Sequence, residues 1–244
     1  MQFYFIRHGQ SENNHLWVNT GSNQGRHEDP ELTSVGRQQA ALLAEYLSQR
    51  VPVQEDAAQD ATPDWWNGTG YDITHVYCSL MVRAVATGTA VATALNLPLI
   101  GLRDAHETGG IYLHDQETGE RVGLPGRTRA YFEEHYPNLV LPADVGDDGW
   151  WNRPFEEREE RQGRAERLVA ALLARHKETD DRVALISHGG FYNHILAAML
   201  NLPEERDYWF LMNNTAITRI DFREDRIWVG YMNRVDFLPR ELIT

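Results

Sequence analysis

Short apolar runs alternate along this chain with longer stretches in which apolar residues recur every three or four positions. Phe3-Tyr4-Phe5-Ile6 is a continuous run of buried-strand length. Gly36, Ala40, Leu43, Ala44 and Leu47 then fall on one helical face, with Thr33 as the N-cap. A strand at 75–78, a helix at about 82–95 and a strand at 99–102 follow. Ala165, Leu168, Val169, Leu172 and Leu173 mark a long helix, 183–186 another strand, and 191–200 another helix. Segments 216–222 and 227–231, joined by the polar turn Arg223-Glu224-Asp225-Arg226, predict a terminal hairpin. Strands alternating with helices predict an α/β fold. The expected architecture is a three-layer α/β/α sandwich, its sheet mostly parallel, with a C-terminal antiparallel hairpin and a cap insertion.

Three stretches break the alternation. Residues 11–31 read as a polar loop, and 51–71 as an insertion or exposed loop punctuated by Pro52, Pro63, Gly68 and Gly70. Residues 104–155 are the least regular and carry Gly109, Gly110, Gly119, Gly123, Gly126, Gly146 and Gly149. They read as a cap over the sheet edge, with one short helix near 127–135. The simplest organisation is a single domain over 1–244 with a lid at about 104–155. Trp65-Trp66 and Trp150-Trp151 read as lid packing that could shape a pocket for a leaving group. Glu156-Glu157-Arg158-Glu159-Glu160 reads as a solvated helix start favoured by the dipole.

Composition narrows the function. The 244 residues are 42% hydrophobic, enough for a sizeable core. No stretch approaches the ~20 apolar residues of a membrane span, and the first residues lack a signal peptide's features. Cys78, the single cysteine, excludes an internal disulfide, fits a reducing cytoplasm, and reads as a small buried hydrophobe. The net charge of −13 argues against nucleic-acid and anionic-membrane partners. A homo-oligomer remains open.

The candidate chemistry sits at strand ends. Arg7-His8-Gly9 follows the first strand, and Ser187-His188-Gly189-Gly190 follows the run 183–186. Arg83 lies just beyond the second strand and Glu107 just beyond the third. Parallel strands put these carboxyl ends on one edge, where open α/β sheets bind ligands. Phosphoryl transfer uses such a set. Guanidinium forks clamp a phosphate, and a neutral imidazole attacks phosphorus. A second, protonated imidazole would neutralise transition-state charge. A carboxylic acid would protonate the leaving oxygen and then activate water. The arginine cluster must outweigh an acidic surface, which screening over roughly 8–10 Å permits. Ten histidines notwithstanding, no Cys/His spacing suits a metal, so no metal or cofactor is expected.

The segments carrying these residues resemble a known family. Phe5-Ile6-Arg7-His8-Gly9-Gln10-Ser11-Glu12-Asn13-Asn14 is similar to the signature of the histidine phosphatase superfamily, the phosphoglycerate-mutase-like proteins. Asp29 to Ala40 resembles its next helix start, Ser79 to Thr87 its second arginine motif, and Ser187 to Gly190 its second histidine motif. The resemblance runs from Met1 to about Tyr231. It implies that His8 is transiently phosphorylated, with Arg7, Arg83 and His188 on the phosphoryl group. Asn14, Ser11 and the Gly189 backbone would assist in binding, and Glu107 would donate the proton. The context His106-Glu107-Thr108-Gly109-Gly110 departs from the mutase pattern, which favours hydrolysis of a small phosphorylated metabolite. The alternatives are a phosphomutase and a catalytically silent relative that binds phosphorylated ligands.

Overall fold

Among the described residues seven strands form one sheet, in the order β6-β3-β2-β7-β1-β8-β9. The structure, a computed structural model, describes residues 1–49, 67, 70–203, 207–223 and 226–244. Strands β1 (Gln2–Arg7), β2 (His75–Ser79), β3 (Leu99–Leu102), β6 (Leu139–Val140) and β7 (Arg182–Ser187) pair in parallel. Strands β8 (Ile217–Phe222) and β9 (Ile227–Arg234) are antiparallel and complete the expected C-terminal hairpin. Helices α2 (Ser34–Ser48) and α3 (Val82–Leu95) cover one face, and α5 (Arg158–His176) and α6 (Gly189–Leu200) cover the other. Alternation along β1 serves both layers. Tyr4 and Ile6 pack with the first helix pair, Phe3 and Phe5 with the second. A strand buried on both faces must be apolar throughout, which is why the opening run is continuous.

Parallel register positions the chemistry. Arg7 lies opposite Ser187 on adjacent strands, so the residues that follow, His8 and His188, leave the sheet side by side. Gly9 and Gly36 let the chain after β1 lie directly on the start of α2. A Cβ at Gly9 would sit 2.5 Å from the Gly36 carbonyl oxygen, and one at Gly36 would run into the carbonyl oxygen of Gln10.

Three expectations are corrected. The loop expected at 11–31 contains helix α1 (Glu12–Thr20), nucleated by a capping box between Ser11 and Asn14 and closed at Gly21 (φ 63°). None of its residues is fully buried, so it has no apolar stripe for a pattern to reveal. The stretch expected as cap sends β6 into the main sheet, where Leu99 pairs with Leu139 and Ile100 with Val140. It also holds the hairpin β4 (Tyr112–His114) and β5 (Arg121–Gly123), and helix α4 (Arg129–His135) near its expected place, capped by Thr128. Glu156 is no solvated helix start. It is 6% exposed and ion-paired with Arg164, and α5 begins beyond it at Arg158 under a Glu157–Glu160 capping box.

Trp150 and Trp151 are buried against each other, with ring centroids 5.7 Å apart. Trp65-Trp66 and most of 51–71 lie outside the described residues. Cys78 is buried, and burial pushes its thiol well above the usual range. Among the described residues no helix is long and apolar enough to cross a membrane.

Candidate active site

His8 leaves β1 buried, and its ring has a defined proton. Its Nδ1 lies 2.6 Å from the Gly9 carbonyl oxygen, and the Arg83 Nε–H donates to its Nε2 at 3.1 Å. A guanidinium offers no acceptor, so Nε2 carries the lone pair and Nδ1 the proton. Burial, followed by the charges of Arg83 and Arg7, holds the His8 pKa well below 6.5. The imidazole is therefore neutral at pH 7, with its free nitrogen turned to a cation.

Arg83 comes from the first turn of α3. It is anchored by Met81 Sδ at 3.1 Å and by Asp29, whose Oδ1 lies 3.7 Å from Nη1. The same Asp29 oxygen accepts from the Val82 N–H at 3.0 Å. Met81, the N-cap of α3, makes no side-chain cap, so a distant carboxylate serves both the helix start and the arginine. Burial pushes Asp29 up to about 6 against the opposing pull of Arg83.

Arg7 ends β1 with Nη1 donating to the Met212 carbonyl at 2.5 Å, while its buried Nε has no partner. Burial lowers its pKa to about 10, so it remains a cation at neutral pH. Its guanidinium lies along the start of α6, 3.3–3.5 Å from where a Gly189 Cβ would be. His188 is fully buried, its ring centroid 5.0 Å from that of His8. Its Nε2 lies 2.8 Å from Ser79 Oγ, and its Nδ1 has no partner. Burial first, then Arg83 and His8, hold its pKa well below 6.5. The protonated second imidazole expected in the transition state is therefore not the resting form of the empty site. At rest His188 is neutral, because a cation there would lack solvent and face two arginines.

Glu107 reaches the start of α6. Its Oε1 accepts from the Thr108 and Phe191 N–H groups, each at 2.8 Å, and its Oε2 from Gly190 at 3.0 Å. A Cβ at Gly190 would lie 2.5 Å from Oε1, so only glycine admits the carboxylate there. Buried Arg164 braces the Glu107 loop. It forks onto Glu156 and donates to the carbonyls of Asp104 (2.6 Å) and His106 (3.0 Å). Glu156 also accepts from the Gly109 N–H at 3.2 Å.

Asn14 is held by its carbonyl. Its Oδ1 accepts from the Ser11 N–H and Oγ and from Asn214 Nδ2, which also donates to the His8 carbonyl at 2.9 Å. Ser11 is committed to capping α1, while Asn14 Nδ2 makes no hydrogen bond among the described residues. All eight sequence candidates thus gather at one end of the sheet. Arg7, His8, Ser11, Asn14, Arg83, Glu107 and Gly190 border a cavity of about 780 Å³.

A family model, that of the histidine phosphatase superfamily (branch 1), matches residues 3–62 and 67–235. The chain belongs to that superfamily. The enzyme class expected from the sequence, a phosphatase, stands with it. A glucosyl-3-phosphoglycerate phosphatase of Mycobacterium tuberculosis is 28% identical over 204 residues, covering 81% of this chain and 74% of the relative. A phosphoserine phosphatase of Entamoeba histolytica, solved with 3-phosphoglyceric acid, superposes with a TM-score of 0.60 at 20% identity. That match covers 98% of this chain and 99% of the other. The mycobacterial glucosyl-3-phosphoglycerate phosphatase superposes with a TM-score of 0.57 at 23% identity, over 96% and 99% of the two chains.

Several residues that serve this histidine phosphatase site escape sequence reasoning. Asp29 opens the segment that leads into α2 but bonds the start of α3 instead. Ser79, Asn214 and Arg164 act on His188, His8 and the Glu107 loop from elements remote in sequence. Only Ser79, at a strand end like the two histidines, carries a local signal. Among the described residues one group has metal-ligand character, His75, His176 and Asp181, whose ligand atoms lie within 4.8 Å of one another. It sits at the opposite edge of the sheet and is internally bonded, His176 Nδ1 to Asp181 at 2.8 Å and Nε2 to the Tyr77 hydroxyl at 2.9 Å.

Proposed function

We propose that the chain is a metal-independent phosphomonoester hydrolase that acts through a phosphohistidine at His8. The observation that carries this reading is the His8–Arg83 bond, which leaves a neutral imidazole with its Nε2 lone pair directed at a cation. A phosphoryl group entering there replaces that contact with two, one to the nucleophile and one to the guanidinium. The orphaned Arg7 Nε and His188 Nδ1 supply further buried donors for its oxygens. Asn14 Nδ2 and the Gly189 N–H, at the first turn of α6, add neutral ones.

In the first step His8 Nε2 attacks phosphorus, the P–N bond forms and the ester P–O bond breaks. The Nδ1–H···O=C bond to Gly9 then supports the positive imidazole ring. Glu107 passes a proton to the departing alkoxide. In the second step water attacks phosphorus, Glu107 takes its proton, and phosphate leaves as the P–N bond breaks. In the resting state two backbone hydrogen bonds go to Glu107 Oε1 and one to Oε2, which leaves Oε2 a lone pair to carry the proton.

The substrate is a small phosphorylated metabolite. A cavity of about 780 Å³ suits an organic leaving group of substantial size, since pockets for drug-sized ligands span ~300–1,000 Å³. The relatives named for glucosyl-3-phosphoglycerate and phosphoserine point the same way. The net charge of −13 disfavours nucleic acid, and the lone buried Cys78 suits the cytoplasm. The test is phosphate release from p-nitrophenyl phosphate and a panel of phosphorylated metabolites in excess EDTA. Turnover undiminished by the chelator is expected; turnover that returns only with an added divalent ion contradicts the reading.

A further inference from the structure

The cavity holds a third cation that the phosphoryl chemistry leaves unused. Arg26, half-buried in the loop between α1 and α2, lines the same cavity as Arg7 and Arg83. Among the described residues its side chain makes neither an ion pair nor a hydrogen bond. It lies over the Tyr112 ring, whose centroid is 4.2 Å from the Arg26 Cζ. The chain carries 36 acidic and 23 basic residues, yet no carboxylate among the described residues pairs with this arginine. Its surroundings make that costly. Arg83, lowered chiefly by burial, is lowered further by the charge of Arg26. Glu28 also borders the cavity, but its carboxylate turns to His27, 3.8 Å from Nδ1.

The loop that carries Arg26 is built rather than loose. Asn13 donates to the His27 carbonyl at 2.7 Å and accepts from the His27 N–H at 3.0 Å. The Arg26 N–H closes a turn onto the Asn23 carbonyl at 3.2 Å. Tyr112 packs edge-on against Phe155, with centroids 4.7 Å apart, and so fixes the ring under the guanidinium. Trp17, 53% exposed on α1, adds an apolar wall beside them. The result is a preorganised cation at some remove from the nucleophile, with an apolar surface alongside.

We infer that Arg26 is a specificity residue, reading a second anionic group, a carboxylate or a second phosphate, on the leaving group of the substrate. This rests on the hydrolase reading above. The phosphoryl group would meet Arg7, Arg83 and His8, while the distal anion forms a forked pair with Arg26 and completes its unmet valence. Phosphomonoesters with a neutral leaving group would lack that contact.

The experiment uses binding, so it needs no turnover. In a His8→Ala background, calorimetry compares 3-phosphoglycerate with glycerol 3-phosphate, which differ by a carboxylate. Fructose 1,6-bisphosphate and fructose 6-phosphate differ by a second phosphate. At least one anionic partner is expected to bind about 10- to 100-fold more tightly than its neutral match, the scale of a charge-assisted pair. The pair that shows the ratio names the group. Arg26→Met should bring the ratio close to one, and Arg26→Lys should restore part of it. Equal affinities, a preference for the neutral ester, a ratio that survives Arg26→Met, or failure of all four esters to bind each overturns the inference. A ratio that depends on Arg26 in a protein that hydrolyses nothing would sink the hydrolase reading alone.

Discussion

The Arg83 Nε–H donates to His8 Nε2 across 3.1 Å, and this one bond sets the state of the nucleophile. It fixes the tautomer, since the guanidinium has only donors to give. It also helps keep the ring neutral. Arg83→Lys keeps a charge near His8 but loses the planar fork and the Asp29–Met81 anchorage. The expected loss in kcat/KM is ~100-fold or more, the scale of removing one preorganised transition-state donor. Arg7→Lys should cost a similar factor. Steady-state kinetics with one aryl phosphate checks both, and near wild-type values for either variant would remove that arginine from the clamp.

Asp29 ties pH to the clamp. Burial raises it from the ordinary 3.8 to about 6, so between these values the folded protein keeps a proton that the unfolded chain has lost. Stability contributed by this group therefore falls as pH rises through that window. Asp29→Asn should abolish that fall, so the variant gains thermal stability relative to wild type between pH 4.5 and 7. It should also lose catalytic efficiency at pH 7, by ~10-fold, because Arg83 has lost its ion partner. Wild-type kcat/KM should show an acid limb near 6 that the variant lacks, measured with one substrate so that the ester's own ionisation is common to both. His8 adds nothing to that limb, being held neutral to well below 6.5.

Much of this arrangement is legible in the sequence. The apolar runs give β1, β2, β3 and β7 because strands buried on both faces must be apolar, and the motifs at their ends converge because the strands are parallel. What escapes is whatever lacks a pattern. Helix α1 forms from a cap without an apolar stripe, and β6 is two residues long. Asp29 acts on a helix that begins at Val82, and Glu156 looks solvated until Arg164, nearly two turns into α5, folds back onto it. The neutral state of His188 also depends on burial by remote elements, which no local spacing encodes.

The buried Arg164–Glu156 pair should matter for stability and, through it, for Glu107. Glu156→Gln leaves Arg164 buried with half its fork unmet, and breaking such a pair costs about 3–5 kcal/mol. Chemical denaturation should show that loss. Arg164→Met, which removes the donors to the Asp104 and His106 carbonyls, should also loosen the Glu107 loop and lower kcat more than it raises KM. A fully stable Glu156→Gln protein would mean that the pair is not formed.

Glu107→Gln separates its two duties. An amide nitrogen would face a backbone N–H at the start of α6, leaving that donor unmet at a cost of ~1–3 kcal/mol in stability. In single-turnover phosphorylation, alkyl phosphates should lose ~100- to 10,000-fold, the range for proton donation. Activated aryl phosphates, which leave as weak bases, should lose far less. Equal losses for both classes would reduce Glu107 to a positioning role.

The most direct test is to trap the intermediate. Wild-type protein is mixed with a phosphomonoester labelled in the phosphoryl group, quenched within milliseconds, and digested under alkaline conditions. The mechanism predicts a protein-bound phosphate, acid-labile and base-stable, on the peptide containing Arg7-His8-Gly9, and none in His8→Ala. Turnover with no trapped phosphate, or label that persists in His8→Ala, would contradict it.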